Sequence, residues 1–183
     1  MRDVIAELRA ASKHNESEFT RGCDMGYKAI DIMAAELEVQ EFLYSLVRLH
    51  RPAIVIESGA GKGYSTLAIA GALERNQHGY LWSYEPIEAL REVAQNRVGD
   101  IAHAIVQAGD SRDYEGEEYD VGLVFLDSGQ ATRVDEIIYW LYRRCVLVIH
   151  DAYRYTDLLD RSGGNMHACP RGLWVRTPVT KKV

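Results

Sequence analysis

The 183-residue sequence contains few cysteines, and their spacing excludes the usual structural uses of this residue. Only Cys23, Cys145 and Cys169 occur, far apart and without any pair separated by two residues. A disulfide framework or a structural zinc site needs paired or closely spaced cysteines. We therefore expect three reduced thiols and a cytoplasmic protein.

Long apolar segments and an excess of positive charge are also missing. No run approaches the roughly 20 apolar residues that cross a bilayer, and residues 1–16 lack the apolar core of a secretory signal. The formal net charge is −6, from 21 basic and 27 acidic residues. Because nucleic acids and anionic membranes attract basic proteins, we expect neither as a partner.

The sequence has no Gly-x-Ser-x-Gly turn, the motif that presents a nucleophilic serine in many hydrolases. What it does contain is an ordinary globular composition, with 47% hydrophobic and 26% charged residues. The length suits one domain with a sizeable core. We therefore expect a single domain over residues 1–183, and the missing turn argues against a serine hydrolase.

Short apolar segments alternate with amphipathic segments along most of the chain. We predict strands at 54–56, 80–85, 101–106, 121–126, 145–149 and 173–175. Two helical stripes between or before them are Val39, Phe42, Leu43 and Leu46, and Val134, Ile137, Ile138 and Leu141. This alternation predicts an α/β fold: a doubly wound, mostly parallel, Rossmann-like sheet of about seven strands, the last antiparallel at the sheet edge, with helices on both faces.

The same pattern divides the chain into three regions. Residues 1–50 should form N-terminal helices, over 1–12 and about 30–49, separated by a loop or lid over 13–24. Residues 51–151 should form the ligand-binding core, with Pro86 as the first residue of a helix. Residues 152–183 should supply an irregular segment over the site and the last strand.

The turn after the first predicted strand is rich in glycine. Its motif residues are Glu57, Gly59, Ala60, Gly61, Gly63, Tyr64 and Ser65. Glycine permits positive φ and close approach of a ligand, and the following helix start offers unpaired amide donors. A dinucleotide fingerprint needs its third glycine three positions after the second, and Tyr64 stands there. The spacing therefore disfavours an NAD-dependent oxidoreductase, which stays as an alternative.

Polar or glycine-rich clusters follow five successive predicted strands. They are residues 57–63, Glu85, Gly109-Asp110, Asp127 and His150-Asp151. Ligands of doubly wound sheets bind at the carboxyl ends of the strands. The clusters therefore predict one ligand site along that edge.

The pattern Glu-x-Gly-x-Gly-x-Gly, beginning at Glu57, resembles the first motif of the class I S-adenosylmethionine-dependent methyltransferases. The adjoining Gly-Tyr-Ser-Thr resembles their small O-methyltransferase branch, and the likeness covers residues 36–151. The resemblance implies that the glycine motif binds S-adenosylmethionine, whose sulfonium and ammonium favour an acid nearby. It also implies that Glu85 binds the ribose hydroxyls and that Asp110 meets the adenine amino group, with Ser111 beside it in the cofactor site.

The resemblance also places the methyl-transfer centre at Asp127, which we count among the cofactor-binding residues. The segment Asp127-Ser-Gly-Gln130 lacks the Asn/Asp-Pro-Pro-Tyr signature of enzymes that methylate amide or amino nitrogens. Catechol-type O-methyltransferases carry a metal-binding acid here and an Asp-Asn pair after the next strand, where this chain has His150 and Asp151. These enzymes also have a lysine three residues after the first acid, and this chain has Gln130 at that position.

From these features we expect Asp127 and His150 to be catalytic, with His150 acting as a general base or ligand. Asp127 and Asp151 could hold Mg²⁺ or another divalent cation. The expected activity is methyl transfer to a hydroxyl oxygen of a small molecule or sugar. The acceptor would be held by the N-terminal helices, the segment after Asp151 or the second subunit of a homodimer. A non-catalytic S-adenosylmethionine-binding module remains an alternative.

Overall fold

A computed structural model describes residues 2–12, 27–28, 30 and 33–178. The described residues form the helices α1 (Val4–Ala11), α2 (Leu37–His50), α3 (Tyr64–Asn76), α4 (Glu88–Val98), α5 (Gln130–Leu141) and α6 (Thr156–Leu159). They also form the strands β1 (Ile54–Ser58), β2 (Tyr80–Tyr84), β3 (Ala104–Gln107), β4 (Val121–Leu126), β5 (Val146–His150), β6 (Asn165–His167) and β7 (Leu173–Arg176). The predicted loop or lid over 13–24, with Cys23, lies outside the described residues.

The strands form one sheet in the order β3-β2-β1-β4-β5-β7-β6. Strands β1 to β5 pair in parallel, and β7 pairs antiparallel with both β5 and β6. The predicted doubly wound, mostly parallel sheet with an antiparallel last strand is confirmed. The predicted position of this strand at the sheet edge is wrong, because β6 pairs with β7 on its outer side. Strand β6 has only three residues, two of them exposed, so it leaves little hydrophobic pattern in the sequence.

Helices cover both faces of the sheet, as predicted. Successive strand residues point to opposite faces, so Val55 and Leu123 join the core beneath α1, α2, α3 and α4. Ile56 and Val124 join the core on the other face, with α5 and α6. Among the described residues, none of the helices has the length and apolar character needed to span a lipid bilayer.

Several predicted boundaries need correction. Helix α2 begins at Leu37 and not near residue 30, because Glu36 is extended (φ −59°, ψ 151°) and directs its carboxylate to two distant cations. Pro86 precedes α4 without belonging to it, since Ile87 is the residue that caps the helix. Strand β3 begins at Ala104, three residues later than predicted.

The predicted helical stripe of α5 is only partly buried. Val134 and Ile138 are 42% and 49% exposed, whereas Arg133, Glu136 and Trp140 are buried. The helix turns two charged side chains inward because each finds a hydrogen-bond partner there: Glu136 accepts from Ser111, and Arg133 donates to the backbone oxygen of His150 at the end of β5. An apolar stripe alone does not identify the buried face when ion pairs compete for it.

Candidate active site

A cleft of about 520 Å³ lies at the carboxyl ends of β1, β2, β4 and β5. Six residues predicted as cofactor or metal ligands line it: Gly59, Gly61, Glu85, Asp110, Asp127 and Asp151. Three more, Ala60, Tyr64 and Ser65, line a small cavity of about 20 Å³ that also touches Gly59 and Asp127. The structure therefore brings most of the predicted site residues together.

Gly59 and Gly61 serve the cleft in different ways. Gly59 has φ +87°, and a Cβ atom there would lie 2.3 Å from the carbonyl oxygen of Asp127. Only glycine therefore lets the loop after β1 approach the end of β4 so closely. Gly61 has φ +54° and open space where a Cβ would stand, and its amide donates to Glu85 at 2.8 Å.

The third glycine of the motif has a packing role. Gly63 has φ +80°, and a Cβ atom there would come within 2.7 Å of the Ala94 Cα atom in α4. It does not belong to the residues that line either cavity. Close packing of the start of α3 against α4 therefore requires this glycine, and its contact with the cofactor stays a prediction.

Glu57 lies beneath the glycine loop, outside the lining of the cleft. It is fully buried, and its Oε2 atom accepts hydrogen bonds from Thr66 at 2.7 Å and Ser83 at 2.6 Å. Burial raises the pKa of this carboxyl group. Glu57 therefore joins β1 to α3 and β2, and any effect on a ligand acts through the loop above it.

Glu85 stands at the end of β2 with both carboxylate oxygens partly occupied. Oε2 accepts from the Gly61 amide at 2.8 Å, and Oε1 accepts from the Ile87 amide at 3.0 Å. A carboxylate has about four acceptor positions, so this arrangement orients Glu85 and leaves acceptor capacity toward the cleft. Ile87 is 56% exposed and lines the cleft with Leu90.

The two residues predicted near adenine separate in the structure. Asp110 lines the cleft, and Arg112 binds both of its carboxylate oxygens, at 3.0 and 2.8 Å. The hydrogen bonds from Arg112 lower the pKa of Asp110. Ser111 is fully buried, donates to Glu136 at 2.6 Å and accepts from Trp140 at 2.9 Å. Its hydroxyl is therefore engaged within the protein.

His150 lies behind the cleft between two carboxylates. Its Nδ1 atom is 3.0 Å from Asp127, and its Nε2 atom is 2.8 Å from Glu36. Burial acts to lower the pKa of His150, but the charge of Asp127 and the hydrogen bonds to both acids raise it to about 9. The ring is therefore an imidazolium at neutral pH, and neither nitrogen keeps a lone pair for a proton. This geometry does not fit the predicted general base.

Two arginines that sequence analysis did not select lie against these acids. Together with Glu36, Asp127, His150 and Asp151 they form a charged cluster. Arg133 lies 3.3 Å from Asp127 and donates to the backbone oxygen of His150 at 2.6 Å. Arg171, in the segment before β7, lies 3.2 Å from Glu36 and 3.5 Å from Asp151. Trp140 lies on the same face of α5 as Arg133, and this large apolar residue was the available sequence signal that the face is buried. Arg171 and Glu36 are 135 positions apart, and no local pattern connects them.

Asp151 has a strained backbone and faces the cleft. Its φ and ψ angles are 56° and 28°, in the left-handed region, where a side chain other than glycine costs about 1 kcal/mol or more. The next residue is fixed by its amide, which donates to the Gly172 oxygen at 3.0 Å. The fold therefore maintains this strain at the position that presents the Asp151 carboxylate to the cleft.

The residues do not fit the predicted divalent cation. Asp127, His150 and Asp151 each have one ligand atom within 4.8 Å of the others, as do Glu36, His150 and Cys169. However, His150 directs both nitrogens at carboxylates, whereas a histidine ligand needs a free lone pair. Charges also balance without a metal. The three carboxylates of Glu36, Asp127 and Asp151 lie beside the three cations His150, Arg133 and Arg171.

Comparison with known proteins identifies the fold through structure alone. Neither a protein-family model nor a curated protein matches the sequence. The O-methyltransferase TomG from Streptomyces achromogenes, solved with S-adenosylmethionine, has a TM-score of 0.67 and 16% identity, covering 98% of this chain and 91% of that chain. A methyltransferase from Geobacter sulfurreducens has a TM-score of 0.65 and 18% identity, with the same two coverages. The O-methyltransferase from Bacillus cereus, solved with S-adenosylhomocysteine, has a TM-score of 0.65 and 13% identity, covering 96% and 90%. The chain therefore has the fold of the class I S-adenosylmethionine-dependent methyltransferases.

Proposed function

We propose that the protein transfers a methyl group from S-adenosylmethionine to a hydroxyl oxygen of a small molecule. The observation that carries this proposal is the grouping of four carboxylates around one cleft, beside the glycine loop. They belong to Glu85, Asp110, Asp127 and Asp151. These carboxylates offer hydrogen-bond acceptors for the ammonium, the ribose hydroxyls and the adenine amino group of the cofactor. The structural neighbours solved with this cofactor or its product support the same choice.

The cleft offers a place for each part of the cofactor. Glu85 is held by two backbone amides and keeps acceptor positions for the two ribose hydroxyls. Ile87 and Leu90 supply apolar surface for a flat purine, near Asp110 as an acceptor for its amino group. The loop at Gly59 and Gly61 leaves room for the methionine part. In this proposal Ser111 acts only through packing.

Asp151 is the residue that we place against the acceptor hydroxyl. The acceptor oxygen forms a bond to the methyl carbon while the bond between that carbon and the sulfonium sulfur breaks. The sulfur keeps the bonding electron pair, giving S-adenosylhomocysteine, and the hydroxyl proton passes to the Asp151 carboxylate. Because the sulfonium already activates the methyl group, alignment and proton removal supply most of the catalysis.

His150 acts in this mechanism as a positioning residue. It holds Asp127 by a hydrogen bond of 3.0 Å, and Arg133 binds the same carboxylate oxygen at 3.3 Å. Burial opposes ionisation of Asp127, but the charges of His150 and Arg133 lower the pKa of its carboxyl group. A fixed anion thus stands where the methyl-carrying sulfonium would lie. Cys145 and Cys169 are free and buried, which supports a reducing, cytoplasmic setting.

Ligand binding tests the cofactor directly. Thermal unfolding and calorimetry are run in parallel with S-adenosylmethionine, S-adenosylhomocysteine and NAD. A ligand at 100 times its dissociation constant adds about 2.7 kcal/mol of stability. For a chain of this size the unfolding midpoint should rise by about 5–10 °C. A rise with the first two ligands alone supports the proposal, whereas a rise with NAD alone, or with none of the three, contradicts it.

A further inference from the structure

We infer that the site performs its reaction without a divalent cation, because Arg171, Arg133 and His150 occupy the electrostatic place that a metal would take. This inference rests on the proposed function. It departs from the metal-binding pattern that the sequence suggested for Asp127 and Asp151.

His150 cannot act as a ligand in this arrangement. Each of its ring nitrogens lies within 3.0 Å of a carboxylate oxygen, one from Asp127 and one from Glu36. An ionised carboxylate at such a distance accepts a hydrogen bond from the nitrogen, so both nitrogens carry hydrogen. A metal would have to displace one of these acids from a fully buried ring. The His150 ring, which lies between Asp127 and Glu36 and close to Asp151, therefore presents a positive charge to any incoming cation.

The two arginines exclude a metal from the remaining acids. The Nη2 atom of Arg133 lies 3.3 Å from Asp127, and the Nε atom of Arg171 lies 3.5 Å from Asp151. Arginine stays protonated at any working pH, so neither charge can be removed to admit an ion. A divalent cation bound to Asp127 and Asp151 would stand beside three fixed positive charges. Two carboxylates do not offset that repulsion.

Arg171 also takes a positioning role that follows from its location. Its side chain is mostly buried, reaches back to Glu36 at 3.2 Å and lines the cleft next to Asp151. It thereby connects the start of α2 to the acceptor end of the cleft. The Asp151 carboxylate is held for proton transfer by a guanidinium, without a metal that would acidify the acceptor. The acceptor hydroxyl must therefore lose its proton to Asp151 as the methyl group arrives.

Manganese binding tests this inference without any turnover. It is measured as the decrease in the electron paramagnetic resonance signal of free Mn²⁺. Wild-type protein, Arg171→Gln and Arg112→Gln are titrated with Mn²⁺ in the presence of S-adenosylhomocysteine. Arg112 is a matched control because it pairs with Asp110 in the same cleft, outside the cluster. We expect wild type and Arg112→Gln to leave the Mn²⁺ signal unchanged. Arg171→Gln should bind Mn²⁺ on the order of a hundredfold more tightly than wild type, since one opposing charge is gone.

One Mn²⁺ bound per wild-type chain at micromolar concentration would overturn the inference, as would equal binding by wild type and a folded Arg171→Gln protein. If Arg171→Gln does not fold, the wild-type titration decides alone. Calorimetry with S-adenosylmethionine in EDTA keeps the two proposals separate. Failure to bind the cofactor in EDTA, restored by Mg²⁺, contradicts the metal-free site. Failure with and without Mg²⁺ contradicts the proposed function.

Discussion

The Nε2 atom of His150 lies 2.8 Å from a carboxylate oxygen of Glu36, a residue 114 positions earlier in the chain. The contact joins the residue before α2 to the last residue of β5, beneath the cleft. Glu36 also binds Arg171, so one buried carboxylate connects three separate parts of the fold. The stability of the fold and the geometry of the proposed acceptor end of the cleft therefore depend on the same group.

Replacing Glu36 should destabilise the protein strongly. In Glu36→Gln, the buried His150 and Arg171 lose a counter-charge, and breaking a buried ion pair in this way costs about 3–5 kcal/mol. Urea unfolding at pH 7 measures the change. Glu41→Gln is the matched control, because Glu41 lies on α2 in an exposed pair with Arg9 and should change the midpoint little. Equal effects of the two substitutions would show that the buried cluster contributes nothing special.

His150 should make stability fall as pH rises above neutrality. Its pKa is raised to about 9 in the folded protein, above an ordinary value near 6.5. The folded state therefore binds the proton more tightly than the unfolded state. The resulting stability is fully present below pH 6.5 and is lost as pH rises through 9, on the order of 3 kcal/mol in all.

Urea midpoints measured from pH 6 to pH 10 check this dependence, with His150→Gln as the comparison. The variant lacks the titrating ring, so the difference in stability from wild type should shrink as pH rises. The acids Glu36 and Asp127 have lowered pKa values, so their contribution is present above the ordinary carboxyl range and is lost on acidification. A difference that stays constant from pH 6 to pH 10 would contradict the imidazolium assignment.

The fold was largely predictable because it depends on local signals that repeat. The β-branched run at 54–56, the glycine turn after it and the acids at successive strand ends each mark a local structure, and parallel topology follows from their alternation. Asp127 and Asp151 could be assigned to the site in the same way. Local signals could not show which charged side chains would lie in contact.

The rest of the site depends on contacts between distant residues. Glu36, Arg133 and Arg171 come from the residue before α2, from α5 and from the segment before β7. In the sequence each of these residues resembles an ordinary charged surface residue. Each is buried because the fold brings a distant hydrogen-bond partner to it. Gly63 is a milder example, because its constraint is the backbone of Ala94 in another helix. Such features require the folded structure.

The two glycines that line the cleft should respond differently to the same change. Gly59→Ala places a methyl group where the Asp127 carbonyl oxygen stands, so the end of β4 must move and cofactor binding should be lost. Gly61→Ala meets open space and costs only the left-handed backbone, about 1 kcal/mol. Calorimetry with S-adenosylhomocysteine, with unfolding midpoints as a check on folding, compares them. Tight binding by Gly59→Ala would contradict the close approach.

Asp151 should show that function is maintained at the expense of stability. Asp151→Gly relieves a left-handed backbone and should raise the free energy of unfolding by up to about 1 kcal/mol, while abolishing methyl transfer by removing the proton acceptor. Gln77→Gly is the matched control: Gln77 also has a left-handed backbone, with φ 48°, but follows α3 outside the cleft. It should gain similar stability and keep full activity. Urea unfolding, calorimetry with S-adenosylmethionine and turnover separate the effects. Retained turnover by Asp151→Gly would reject the carboxylate as proton acceptor. A loss of stability in that variant alone would mean that the pairing of Asp151 with Arg171 outweighs its backbone strain.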